Sequence, residues 1–118
     1  MTSWKYRRLT APAIIASVLA LAACAEPQPP TAQMRSAGDA IARAQDAGAQ
    51  SLAPQPLQMA QDKLNRAHGA VNAKEMGPAA WLAEESEADA NLAWTTTSAQ
   101  KAQATATQLQ MHNAPPAR

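Results

Sequence analysis

The sequence predicts an all-α fold, a helical hairpin or an elongated three-helix bundle, preceded by a basic and apolar leader and a proline-rich link. Three observations predict it. Beyond residue 31 the helix formers Ala, Gln, Leu, Met, Glu, Lys and Arg dominate, and Ile41 and Val71 are the only β-branched aliphatic residues, which leaves little from which to build a sheet. Apolar residues recur there at alternating spacings of three and four, the signature of one buried helix face. Proline and glycine fall in clusters that divide the region into three stretches.

Composition limits the core. Hydrophobic residues make up 47% of the 118, but Ala supplies 31 of them and Phe is absent. Only fourteen large apolar side chains follow Cys24, so a single small domain with close, Ala-lined packing is expected and a large core is excluded. Lys and Arg number 10 against 9 for Asp and Glu. This balance gives no reason to expect nucleic acid as a partner.

Residues 1–23 have the pattern of an export signal. Lys5, Arg7 and Arg8 precede an uncharged run from Leu9 to Ala23 that ends in small side chains. The run is shorter than the roughly 20 apolar residues that span a bilayer. It closes on Leu21-Ala22-Ala23-Cys24, which resembles the lipobox of bacterial lipoproteins: a branched apolar residue, two small ones and the single cysteine. The resemblance implies diacylglycerol on the Cys24 thiol, cleavage before it and an N-acyl chain on the new terminus. A lone thiol in an oxidising compartment has no disulfide partner within the chain, and a thioether removes that liability. Loss of residues 1–23 leaves 95, with seven basic and nine acidic side chains, a charge that does not favour attraction to anionic lipid. Several acyl chains hold a protein at a membrane without a span. By resemblance to the enterobacterial sorting rule, Ala25 after the cysteine implies the inner leaflet of the outer membrane, with the chain facing the periplasm.

The link, residues 24–31, contains Pro27, Pro29 and Pro30. Prolines at this density block helix and sheet ladder alike, so an extended tether of roughly 20 Å is expected at about 3.1 Å per residue. The helical domain follows over 32–112. Its first helix is expected from Thr31 to Gln50, with Met34, Ala37, Ile41, Ala44 and Gly48 along one stripe and Arg35, Asp39, Arg43 and Asp46 as a solvated charge ladder opposite. Ser51 to Pro56 interrupts the pattern, and Pro56 suits the first turn of a second helix, where its missing N–H costs nothing. That helix is expected to run to about Glu75, burying Leu57, Ala60, Leu64, Ala67 and Val71 and leaving Asp62 and Arg66 in water.

Met76-Gly77-Pro78 reads as a tight turn, with Gly at the helix exit and Pro opening the next helix, so the chain is expected to fold back as an antiparallel hairpin. The third helix is expected from Pro78 to about His112. Trp81, Leu82, Ala88 and Leu92 form one stripe, and Trp94 with Ala83 and Ala90 a second, so its first half is expected to touch both other helices. Thr95, Thr96 and Thr97 lower helix propensity in the second half, where Ala99, Ala102, Ala106 and Leu109 continue the seam, and that half is expected to fray or to find a partner. Asn113 and two prolines end it, leaving 113–118 as a disordered tail.

The stretch from Leu52 to Lys101, with Met59-Ala-Gln-Asp-Lys-Leu64, the Gly77 turn and Leu82-Ala-Glu-Glu-Ser-Glu-Ala-Asp-Ala-Asn-Leu-Ala93, resembles the bacterial domain-of-unknown-function 4398 family. That resemblance implies a short helical segment of the kind found in small lipoproteins and ahead of peptidoglycan-binding OmpA-like domains. It implies no catalytic residues, and without an OmpA-like domain after these helices it does not imply cell-wall binding.

Little else points to chemistry. Glu84, Glu85, Glu87 and Asp89 lie in early helical turns, where the helix dipole favours carboxylates, and read as a solvated face rather than a cation site. His68 and His112 lack ligand spacing, so no metal is expected. Trp81 and Trp94 read as hairpin contacts rather than ligand stackers. No phosphate loop or nucleophile elbow occurs, and no catalytic residue, cofactor or small-molecule substrate is expected. Three classes of function follow. The first is a non-enzymatic envelope lipoprotein, a tethered structural or adaptor module with a protein partner or self-association. The second is a coiled-coil oligomer resembling the major outer-membrane lipoprotein of enteric bacteria, although Arg118 stands where that protein has the lysine joined to the cell wall. The third, an enzyme or ligand carrier, lacks the polar constellation it needs.

Overall fold

The computed structural model describes residues 27–115. The expected tail over 113–118 falls only partly within them. Four helices follow in order: α1 (Thr31–Asp46), α2 (Ala49–Leu52), α3 (Pro54–Asn72) and α4 (Met76–Asn113). Met34 packs against the cluster of Ala67, Ala70, Ala79 and Leu82, while Ile41 and Ala44 share a second cluster with Leu57, Ala60, Ala90 and Ala93. α1 and α4 therefore run in the same direction and α3 runs against both. The three long helices form an up-down-up bundle, all-α as the sequence predicts.

The core is built from small side chains. Among the described residues, twelve of the fifteen buried apolar residues are alanine; the others are Ile41, Leu57 and Leu82. The buried seam of α4, Ala79, Ala83, Ser86, Ala90, Ala93 and Thr97, alternates steps of four and three. Leu57, Ala60, Leu64, Ala67 and Val71 do the same on α3, with Leu64 and Val71 half-buried. A mean period of 3.5 keeps such a seam facing its neighbour over many turns and gives a left-handed winding of the helices. Alanine at the contact lets helix axes approach to the short end of the usual 8–10 Å range.

Close approach explains where the sequence-based stripes fail. Leu82, Ala83 and Ala90 are buried as expected, but Trp81, Leu92 and Trp94 are 57%, 56% and 45% exposed, and Ala88 is also exposed. An indole does not fit between helices spaced by methyl groups, so the large side chains of α4 lie outside the seam that its small ones define.

The helix ends depart from expectation in three places. α1 stops at Asp46 because Gly48, at φ 93°, takes the left-handed conformation that ends a helix. The expected loop from Ser51 to Pro56 is instead the single turn α2, a break at Ala53 and the start of α3 at Pro54. The hairpin turn lies at 73–75 rather than at Gly77, which sits within the first turn of α4. Lys74, at φ 62°, is the left-handed residue. The Glu75 N–H donates to Ala70 and the Lys74 N–H to Val71, the pair of bonds that closes a Schellman motif.

The distal part of α4 is helical to Asn113 and exposed from Ser98 onward. The helix is continuous through the threonines. The hydroxyls of Thr95, Thr105 and Thr107 donate to the carbonyls of Asn91, Lys101 and Gln103, four residues back. The helix stops where Ala114 turns extended at ψ 132°, as the residue before a proline must. At 1.5 Å per residue α4 is about 57 Å long, and its last dozen residues project beyond the turn that joins α1 to α3.

Two predictions follow from this geometry. Lys74→Gly relieves the left-handed backbone and raises unfolding free energy by about 0.5–1 kcal/mol, whereas Gly48→Ala lowers it by about 1 kcal/mol; urea titrations followed by circular dichroism measure both. Ala90→Leu places three extra carbons in a seam with no room for them and costs about 1–3 kcal/mol in the same titration. An unchanged midpoint for Ala90→Leu contradicts the close packing.

Candidate functional site

The anchoring motif, Leu21, Ala22, Ala23 and Cys24, lies outside the described residues. What the structure places is its distal side. Pro27 to Pro29 are exposed and Pro30 is buried against the bundle. The Pro30 carbonyl accepts the N–H of Met34 at 3.0 Å, so helix begins as soon as the prolines end. The link therefore enters at the end of the bundle that carries the α3–α4 turn, and α4 projects from the opposite end.

The acidic stretch of α4 is divided by its helical phase. Glu85 and Asp89, four residues apart, share a face turned toward α3, where the Lys63 ammonium lies 3.1 Å from Glu85 Oε2 and 2.8 Å from Asp89 Oδ2. Asp89 Oδ2 is shielded from water and faces the Lys63 ammonium. Asp89 first and Glu85 second hold the Lys63 ammonium above the ordinary lysine range. Glu84 is exposed and Glu87 half-buried. The expectation of a solvated face is thus corrected for Glu85 and Asp89, which form an interhelical clamp. Lys63 was missed because its role depends on the antiparallel register of α3 on α4; the i,i+4 spacing of its two partners was the signal available.

Other polar contacts also tie α4 to the rest. Ser86 Oγ, fully buried, donates to the Ala60 carbonyl at 2.6 Å. Arg43 donates to Asn91 Oδ1 at 3.2 Å and Gln100 to the Leu52 carbonyl at 2.9 Å. Lys101 Nζ donates to the Ala47 carbonyl, which places a cation at the negative end of α1. Each of these fixes where α4 leaves the bundle. Arg35, Asp39, Arg43 and Asp46 of α1 are exposed as expected, as are Asp62 and Arg66 of α3, but the expected ladder does not close into ion pairs and Arg43 reaches Asn91 instead. Among the described residues the ion pairs are those of Lys63 alone.

The structure does not gather the remaining candidates. His68 and His112 are exposed on α3 and at the far end of α4, and no three His, Cys, Asp or Glu among the described residues are placed to hold a metal ion. Trp81 and Trp94 stand on the surface rather than in the hairpin contact. Gln50, Pro54, Leu57, Gln58 and Gln61 line an open, largely polar depression beside the α2–α3 junction. No helix among the described residues is long and apolar enough to cross a membrane.

The clamp makes a pH-dependent prediction. A lysine whose folded pKa exceeds its ordinary 10.5 contributes stability that is complete below that value and is lost as pH rises through the higher folded value. The melting temperature of the parent chain should fall more steeply above pH 10.5 than that of Lys63→Met, and added salt should narrow the difference at neutral pH. Parallel thermal melts of the two chains across that range measure it. Equal slopes contradict the clamp.

Residues 32–109 match the sequence model of a protein family described as Domain of unknown function (DUF4398). No curated protein sequence and no solved structure matches the chain. The matched stretch runs from the first turn of α1 to Leu109 near the end of α4, so it covers the whole bundle together with most of the projecting helix. The chain belongs to this family of unknown function.

Proposed function

We propose that the protein is a non-enzymatic envelope lipoprotein, a helical structural or adaptor module held in the periplasm by acyl chains on Cys24, at the inner leaflet of the outer membrane. The observation that carries this reading is the order of segments. A basic start, an apolar run, Leu21-Ala22-Ala23-Cys24 and a proline-rich link lead in that order into helix at Thr31. Each part has a physical role in such a protein: export, acylation, spacing from the headgroups and presentation of a folded body.

The bundle supports an adaptor better than an enzyme. Its interior is filled by methyl groups, and the buried polar groups Ser86 and Thr97 lie on the helix seam rather than converging on a cavity. Catalytic and small-ligand sites need a concave surface with convergent polar groups. The surface offers instead a long helix, firmly clamped over its first two thirds and exposed over the rest, which is suited to contact with another protein.

Acylation is the decisive test. Cells expressing the chain should incorporate radiolabelled palmitate into it and retain it in the outer-membrane fraction. Cys24→Ala should lose the label and leave the precursor unprocessed. Undiminished label in that variant overturns the anchor.

A further inference from the structure

We infer that the outer face of α4 is a self-association surface, on which a second copy of this chain packs antiparallel through residues 92–109. The face lies opposite the buried seam and carries Leu92, Thr95, Ala99, Ala102, Ala106 and Leu109, all exposed, with Leu92 at 56% and Leu109 at 58%. Their spacing of three, four, three, four, three is that of a coiled-coil seam. α4 thus has apolar stripes on two sides, a pattern that belongs to helices covered on both.

The order of side chains along this stripe identifies the occupant. It is large, small, small, small, small, large, and it reads almost the same in both directions. In an antiparallel pair centred between Gln100 and Lys101, Leu92 of each copy meets Leu109 of the other, Thr95 meets Ala106, and Ala99 meets Ala102. The arrangement is an isologous two-fold contact in which one patch is its own complement. Alanines at the centre let the backbones approach and the leucines close the two ends.

Charge selects the same partner and direction. From Ala90 to Asn113 the one Lys, Arg, Asp or Glu is Lys101, and its ammonium is turned toward the Ala47 carbonyl, away from this face. Just before the stripe lie Glu84 and Glu87, the two carboxylates of this stretch outside the Lys63 clamp. Pairing in parallel register brings Glu84 and Glu87 of one copy alongside the same residues of the other. Antiparallel pairing holds them about 40 Å apart, several Debye lengths. A lipid surface is a poorer fit, because an interfacial helix flanks its apolar face with basic residues and this one has none. The stripe is about 27 Å long, and one helix contact of that length, lined mostly by alanine, falls below the roughly 1,200 Å² of stable specific interfaces, so the pair is a weak dimer that forms at high local concentration. The inference stands on α4 and does not depend on acylation of Cys24.

Cysteine pairing tests it on the purified full chain carrying Cys24→Ser, kept in mild detergent at several hundred micromolar and oxidised. An equal mixture of Leu92→Cys and Leu109→Cys chains should give at least tenfold more disulfide-linked dimer than either alone, since like positions lie about 25 Å apart in the antiparallel pair. Both sites are exposed, so circular dichroism should show the bundle intact. Adding Ala102→Glu to both chains should reduce the cross-linked product at least tenfold. Self-linking of Leu92→Cys chains alone, which marks parallel pairing, overturns the proposal. So does a mixture that fails to cross-link while its helical content is unchanged, or a product insensitive to Ala102→Glu.

Discussion

The fold depends on how closely three helices can approach one another. With alanine at most buried positions of α1, α3 and α4, each contact gains little from the area of any single side chain and much from the fit of backbone against backbone. Close approach also brings a hydroxyl on one helix within reach of a carbonyl on the next, as Ser86 and Ala60 show at 2.6 Å. The same spacing excludes bulky groups. Trp81, Leu92 and Trp94 are therefore on the outside of a protein that has few other large apolar side chains.

Much of this was legible in the sequence. Helix is the only regular structure that so much Ala and Gln with so little Val and Ile supports, and the three-four spacing located Ala37, Ile41, Ala44, Leu57, Ala60 and Ala67 correctly on the buried faces. The exposed Trp81 and Trp94 were not legible, because hydrophobicity alone places tryptophan inside. Only the heptad of small residues from Ala79 to Thr97, read as the preferred seam, reverses that ranking. The turn was misplaced for a related reason. Gly77 is the expected left-handed residue by type, but the chain uses Lys74, since the register that brings Leu82 and Ala83 onto α3 requires α4 to start at Met76. The clamp around Lys63 had half of its signal in the sequence, with Glu85 and Asp89 on one face; the other half required knowing which turn of α3 lies opposite.

The polar contacts and the alanine seam have complementary roles. The seam sets direction and spacing but, being nearly uniform, specifies register weakly, since an alanine sliding by one heptad meets another alanine. Lys63 between Glu85 and Asp89, Ser86 on Ala60, and Gln100 and Lys101 on the carbonyls of Leu52 and Ala47 fix that register. They also fix where α4 leaves the bundle. In the lipoprotein reading, the link enters at one end of the body and the projecting helix leaves from the other, so the surface available to a partner is held at the end remote from the anchor.

Hydrogen exchange along α4 in dilute, monomeric protein tests most directly the claim that close alanine packing carries the fold. Amides from Ala79 to Thr97 should share the slow, cooperative exchange of α1 and α3, those from Ala102 to Asn113 should exchange much faster, and Ala90→Leu should accelerate the first group while leaving the second unchanged. Uniform protection along the whole of α4, or a slow group indifferent to Ala90→Leu, would contradict it.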